Sequence, residues 1–258
     1  MLAKSPPIPL VIDYLDIDRG HILSAKDEEG ILLALKQPNR IRCIRVGSDP
    51  LESQKFVMAM NDKFPILEYL VMAGGTDDAT FVFLKIIQAP HLRHLVLNGV
   101  APPIRSPLIT TAMGLVTLCL VIHDPSSYFN SNTLLQWVSP LSQLETLEIT
   151  VTCHMEMQLS HMPIITYTTL PNLRLLSLKG VSAHVEVLIH QIATPRLERL
   201  HISFYDEHLT VSIPCLVLVM NTTENKKVRF DSAKFEFFVS QVRVLAPELC
   251  PLGDFFQY

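Results

Sequence analysis

The chain has 258 residues, of which 48% are hydrophobic and 18% charged, and its formal net charge is −4. Such a composition is that of a globular protein with a large core and few charges for a disordered tail; length alone allows one long domain or two ordinary ones. Its lysines and arginines are scattered, which argues against nucleic acid as the main partner.

Residues 8–14 read as a first strand, with Leu10 and Ile12 turned to a core. A helix over 25–37 follows and stops at Pro38. One pattern then recurs, three apolar residues spaced as L-x-x-L-x-L: Ile41, Ile44, Val46; Leu67, Leu70, Met72; Leu92, Leu95, Leu97; Leu115, Leu118, Leu120; Leu144, Leu147, Ile149; Leu173, Leu176, Leu178; and Leu197, Leu200, Ile202. This spacing marks a short strand that turns alternate side chains into a shared core, and the seven units start 23 to 29 residues apart. In a chain this apolar the spacing arises by chance as well, so the prolines carry the argument. Pro65, Pro90, Pro171 and Pro195 each stand two residues ahead of the first leucine, although only 18 residues of the chain are proline. Proline cannot continue a helix and biases the residue before it to extended geometry, which marks a helix-to-strand corner.

Between the strands the period changes to helical. Residues 53–64 carry Phe56, Val57 and Met60; 80–89 are apolar nearly all round; the segment at Pro107 has room for a turn or two; 131–139 place Leu134, Leu135 and Val138 inward. From Ser182 onward, Val185, Leu188, Ile189 and Ile192 fall at i, i+3, i+4 and i+7 on one apolar stripe. Beyond Ile202 the register loosens: 213–220 read as a helix after Pro214, Phe235, Phe237 and Val239 alternate as a strand, and 242–245 form a last one. The expected fold class is α/β, an irregular leucine-rich-repeat solenoid with a curved parallel sheet inside and helices outside. One domain spans 6–245, with a C-terminal cap from about residue 204, and 246–258 form a tail.

In each strand the residues between the leucines face the concave side of such a sheet. The candidate partner-binding residues are Tyr69, His94, Asn98, Thr117, Glu148, Ser177, Lys179, Arg199 and His201. Their frame is an apolar or small centre with charge at both ends, the composition of a protein interface. Lys179 and Arg199 fall on adjacent rungs and, with His201 beside them, form a local concentration of positive charge to which an acidic segment of a partner would be steered.

No G-x-S-x-G, G-x-x-x-x-G-K-[ST], H-E-x-x-H or G-x-G-x-x-G occurs, so no catalytic residue, cofactor or metal is expected. The histidines are spread over several units and read as surface or rim residues; Ser177, His201 and Asp206 would sit on adjacent units without an oxyanion hole. Gly74-Gly75-Thr76 reads as a loop after a strand, and Lys226, Lys227 and Arg229 as a solvated turn. The five cysteines are widely spaced without a C-x-x-C pair, which suits a reduced compartment, and the N-terminus lacks the apolar region of a signal peptide. A cytoplasmic or nuclear monomer without membrane contact is expected. The charge-free run 106–123 reads as a repeat strand rather than a membrane span, and Asn221-Thr222-Thr223 is a glycosylation acceptor only in form.

With P-x-L-x-x-L-x-L in hand, phrases such as APHLRHLVLNG, LSQLETLEI and TPRLERLHI make the chain resemble the leucine-rich-repeat part of F-box proteins of the large fungal type, over roughly residues 6–245. The resemblance implies a non-enzymatic module whose repeats hold the substrate of a cullin-RING ubiquitin ligase. In that family a preceding F-box binds the ligase adaptor. No L-P-x-E-type helical F-box stands ahead of residues 6–14, so adaptor binding is expected only from an F-box upstream and not from this chain. The position three residues after each last leucine, such as Thr152 or Val181, is never Asn or Cys, so the family's buried Asn ladder is missing. The alternative is a repeat scaffold or regulator unconnected with ubiquitin. An enzyme ranks last, because a solenoid lacks the ligand crevice of an open α/β sheet.

Overall fold

The structure, a computed structural model, describes residues 8–14, 24–47, 55–56, 59–60, 63–73, 86–99, 106–123, 131–151, 167–180, 185, 188–189, 191–204, 234–238 and 241–245; for 131–133, 204, 234–238 and 241–245 it describes the backbone alone.

Strands β1 (Leu10–Tyr14), β2 (Ile41–Gly47), β3 (Tyr69–Ala73), β4 (His94–Asn98), β5 (Thr117–Ile122) and β6 (Thr146–Val151) lie side by side in chain order. After them the sheet continues with β8 (Leu175–Gly180) and β10 (Arg199–Phe204), and all eight are parallel. Two antiparallel strands complete the ten, β12 (Gln241–Leu245) beside β10 and β11 (Lys234–Phe238) at the far edge. A separate two-stranded parallel ladder joins β7 (Thr168–Thr169) to β9 (Ile192–Ala193). Among the described residues the helices given with both ends are α1 (Ala25–Leu35), α2 (Pro107–Thr111) and α3 (Ser131–Val138), with a short 3₁₀ turn over Pro38–Arg40; residues 55–56, 59, 185, 188–189 and 191 are helical too. Ser24 caps α1 by accepting the Asp27 N–H at 3.2 Å, and Asp27 and Glu28 place negative charge in its first turn.

Each repeat strand from β3 onward is entered through the same tight turn. The N–H of the first leucine donates to the carbonyl three residues earlier: Leu67 to Phe64, Leu92 to Ala89, Leu115 to Ala112, Leu144 to Leu141, Leu173 to Leu170 and Leu197 to Thr194, at 3.0 to 3.3 Å. Pro65, Pro90, Pro171 and Pro195 hold the second position of this turn, where a fixed φ near −65° suits the backbone. In five of the six turns the first position is a core residue, Phe64, Ala89, Ala112, Leu141 and Leu170 being fully buried, while the sixth has the half-buried Thr194. The repeated unit is therefore longer than L-x-x-L-x-L, beginning with an apolar residue ahead of the proline.

Across the parallel strands the leucines stack in register, Leu70, Leu95, Leu118, Leu147, Leu176 and Leu200 in one row. All six belong to one hydrophobic cluster, which also takes Leu35 from α1, Leu108 and Ile109 from α2, and Leu134, Leu135, Trp137 and Val138 from α3. Helices and strand leucines thus share one side of the sheet. Burying each such side chain contributes roughly 1.5 to 3 kcal/mol over leaving it in water, so repetition of the unit is what makes the layer stable.

The seven repeat strands, the earlier strand at 8–14 and the helices at 25–37 and 131–139 are present where the sequence places them, within a residue or two at their ends. Three helical readings run too far. Met60 N–H donates to Phe56 at 3.0 Å, but Lys63 pairs with Gln88 in a parallel bridge and Phe64 opens a turn, so the helix expected over 53–64 stops short. For the same reason the helix expected over 80–89 cannot include Gln88 or Ala89; residues 80–85 lie outside the described residues. Ile192 belongs to β9 and pairs with Thr168, although Val185 and Leu188 of the same stripe are buried. The cause is common to all three: the chain must become extended before the turn that feeds the next strand, so the helical period is cut off early. Val57, Val239, 213–220 and 246–258 lie outside the described residues. The two last strands extend the sheet beyond β10.

Candidate functional site: the exposed sheet face

The residues between the leucines form three rows on the other face, because side chains alternate along each strand and the register is unbroken from β2 to β10. In the first row Cys43, Tyr69, His94, Thr117, Thr146, Leu175 and Arg199 follow one another. The second runs Asp13, Arg45, Val71, Val96, Cys119, Glu148, Ser177 and His201. Gly47, Ala73, Asn98, Val121, Thr150, Lys179 and Ser203 make the third.

In the first row the Tyr69 and His94 rings are stacked, and the Tyr69 side remains 41% exposed. Nδ1 of His94 lies 3.1 Å from the Thr117 hydroxyl, which fixes the imidazole from its other side. Burial, and after it the charge of Arg93, holds His94 below its ordinary value of 6.5, so the ring is neutral at physiological pH.

The second row begins with an ion pair, Arg45 to Asp13 at 2.9 Å, and continues through the half-buried Val71 and Val96 to Cys119 and Glu148. The Cys119 thiol points at the Glu148 carboxylate with sulfur and oxygen 4.0 Å apart. Burial, with the negative charge of Glu148 adding to it, pushes the Cys119 thiol up to about 12. Burial also raises the Glu148 carboxyl. In the third row Asn98 Oδ1 lies 2.7 Å from Nε2 of His123.

Just ahead of the first row a further line of residues crosses the sheet: Arg42, Glu68, Arg93, Val116, Glu145, Arg174 and Glu198. Their backbones form a continuous ladder, each N–H donating to the preceding residue's carbonyl at 2.8 to 2.9 Å. Arg42 bridges Glu68 at 2.8 Å and Arg174 bridges Glu198 at 3.4 Å.

The nine residues expected to bind a partner all lie on this face, and the structure groups them differently from the sequence reading. Tyr69, His94 and Thr117 form one touching set, and Glu148 and Ser177 lie in register beside each other. Lys179 and Arg199 lie on adjacent strands, as expected, but in different rows: Arg199 pairs with Leu175 and Lys179 with Ser203, so they stand four residues, about 13 Å, apart along the strand. The cause is position in the motif: Lys179 follows the last leucine of its unit and Arg199 precedes the second leucine of the next, which puts them in the third and first rows. Nor do all residues between the leucines face solvent, because Cys119 and Leu175 are buried.

The sequence reading also missed Asp13, which enters the second row through β1, and the whole charged line at 42, 68, 93, 145, 174 and 198. The signal for that line was a charge directly after the first leucine of six units out of seven. Ser177 and His201 lie in register, while Asp206 is outside the described residues. Among the described residues no group of three His, Cys, Asp or Glu could hold a metal ion, and no helix is long and apolar enough to cross a membrane. Comparison with family models, curated proteins and solved structures finds no match.

Proposed function

We propose that the chain is a leucine-rich-repeat solenoid whose exposed sheet face is a concave docking surface for a protein, serving as the substrate-recognition repeats of an F-box-type ubiquitin-ligase receptor. The observation that carries the docking reading is the three-row face itself, with small and apolar residues at its centre, a stacked Tyr69–His94 pair, and charged pairs along its edge. Such a surface offers desolvation at the centre and orientation at the rim. The link to ubiquitin rests on the sequence resemblance alone; the adaptor would be bound by an F-box and not by these repeats. Cytoplasm or nucleus fits its free cysteines Cys43 and Cys119.

The test is site-specific photo-crosslinking in cells. A crosslinker at Val71, on the face, should yield a discrete partner band, while one at Leu33, 60% exposed on α1, should not. The same band from both positions would remove the face from consideration. Cullin and adaptor subunits in the purified band decide between a ligase receptor and a scaffold unconnected with ubiquitin.

A further inference from the structure

Glu148 occupies an unusual place for a carboxylate. It stands in the second row on β6, with Cys119 on one side and Ser177 on the other. Among the described residues its one hydrogen bond is the long contact from the Cys119 thiol, 4.0 Å from Oε2. Three other acidic side chains around this face are neutralised by an arginine, Asp13 by Arg45 at 2.9 Å, Glu68 by Arg42 at 2.8 Å and Glu198 by Arg174 at 3.4 Å, while Glu145 is exposed to solvent. A partly buried carboxylate without a cation costs the fold free energy. A neutral residue there would fold better, so the charge needs a reason outside the fold.

The surroundings say which cation would suit. Thr146 and Thr150 flank Glu148 on the same face of its strand, about 7 Å away at the Cα, and Ser177 lies across at about 5 Å. One carboxylate ringed by three short hydroxyls offers several acceptors in different directions. A lysine ammonium uses three donors around a point, whereas a guanidinium presents five in a fixed planar fork, so it can take the carboxylate and still reach hydroxyls. Toward β3 the row becomes Val96 and Val71, an apolar strip that would accept the side chains next to such an arginine.

We propose that Glu148 is the seat for an arginine side chain of the protein partner, with Thr146, Thr150 and Ser177 taking its remaining N–H groups and Val96 and Val71 covering its apolar neighbours. This rests on the reading of the face as a protein-docking surface and specifies the partner: an arginine beside apolar residues. It reverses the expectation of an acidic partner drawn from Lys179 and Arg199.

The experiment uses the full chain and an array of twelve-residue peptides with a central arginine and varied apolar neighbours. Each is paired with a copy in which citrulline, a neutral isostere, replaces the arginine. Peptides that bind should lose at least tenfold in affinity with citrulline, and Glu148→Gln should lose the same factor while melting no lower than the parent. In that variant the arginine and citrulline peptides should bind equally, because the interaction that distinguishes them is gone. Val96→Glu should weaken both. Peptides that are lost with Val96→Glu yet indifferent to citrulline and to Glu148→Gln would overturn the arginine seat and leave the docking face standing. Binding unaffected by either variant, or no binding across the array, would overturn both.

Discussion

His94 lies flat against Tyr69, with ring centroids 4.2 Å apart and planes inclined by 10°, in a position where protonation is unfavourable. A histidine held below its ordinary value of 6.5 in the folded state gives stability that is present above that value and is lost as pH falls beneath it. Lowering the pH from 7 to 5 should therefore lower the melting temperature of the parent chain more than that of His94→Gln. Thermal melts of both proteins at the two pH values check this. Equal falls would mean that the stack does not resist the charge.

Glu148 has the opposite sign. Its carboxyl is raised by burial, so its favourable contribution is complete below the unfolded value and lost as pH rises through the folded one. At pH 7 the parent carries the charge at a cost. Glu148→Gln should accordingly melt higher than the parent at pH 7, with the gap closing near pH 4. A lower melting temperature at pH 7 would show that the carboxylate is compensated within the fold.

The two faces of the sheet should respond very differently to truncation. Leu95 is fully buried between Leu70 and Leu118, and Leu95→Ala should cost about 2 to 5 kcal/mol. Ser177→Ala, on the exposed face, should change stability by no more than about 0.5 kcal/mol. Urea unfolding of the two variants measures both. A large effect at Ser177 would mean that the chain itself covers this face.

Met113 holds the position in its turn that proline holds in four other units, and its side chain is 50% exposed. The Leu115 N–H closes that turn on Ala112 at 3.1 Å, as in the proline-bearing turns. Met113→Pro should stabilise the chain by about 0.5 kcal/mol, chiefly by restricting the unfolded state. The urea midpoint should rise at unchanged slope; a fall would show that this turn differs from its counterparts.

The strands were legible because they combine two independent signals, leucine spacing and a proline at a fixed offset, and each restricts the backbone for its own reason. Helix ends were not legible, since Gln88, Ala89 and Ile192 are as apolar or as helix-compatible as what precedes them. What ends the helices is the next strand's need for an extended lead-in, a demand made by another part of the chain. On the exposed face the members of the site followed from alternation. Their grouping did not, because which row meets which is set by pairing between strands far apart in sequence. Lys179 and Arg199 lie on adjacent strands as their units suggest but in rows four residues apart, whereas Cys119 and Glu148, 29 residues apart, share a row and touch.

The charged line ahead of the first row reads, from β2 to β10, plus, minus, plus, neutral, minus, plus, minus. Val116 is where the alternation changes phase: either sign there would meet one like and one unlike neighbour, in Arg93 and Glu145. Skipping the unit of Glu68 would set Arg42 beside Arg93, and skipping that of Arg174 would set Glu145 beside Glu198. Removing the unit of Val116 instead brings Arg93 next to Glu145 and leaves six charges in perfect alternation. The array thus has a built-in seam, and among internal units the one over residues 115–143 is the one whose removal leaves every remaining charge beside its opposite.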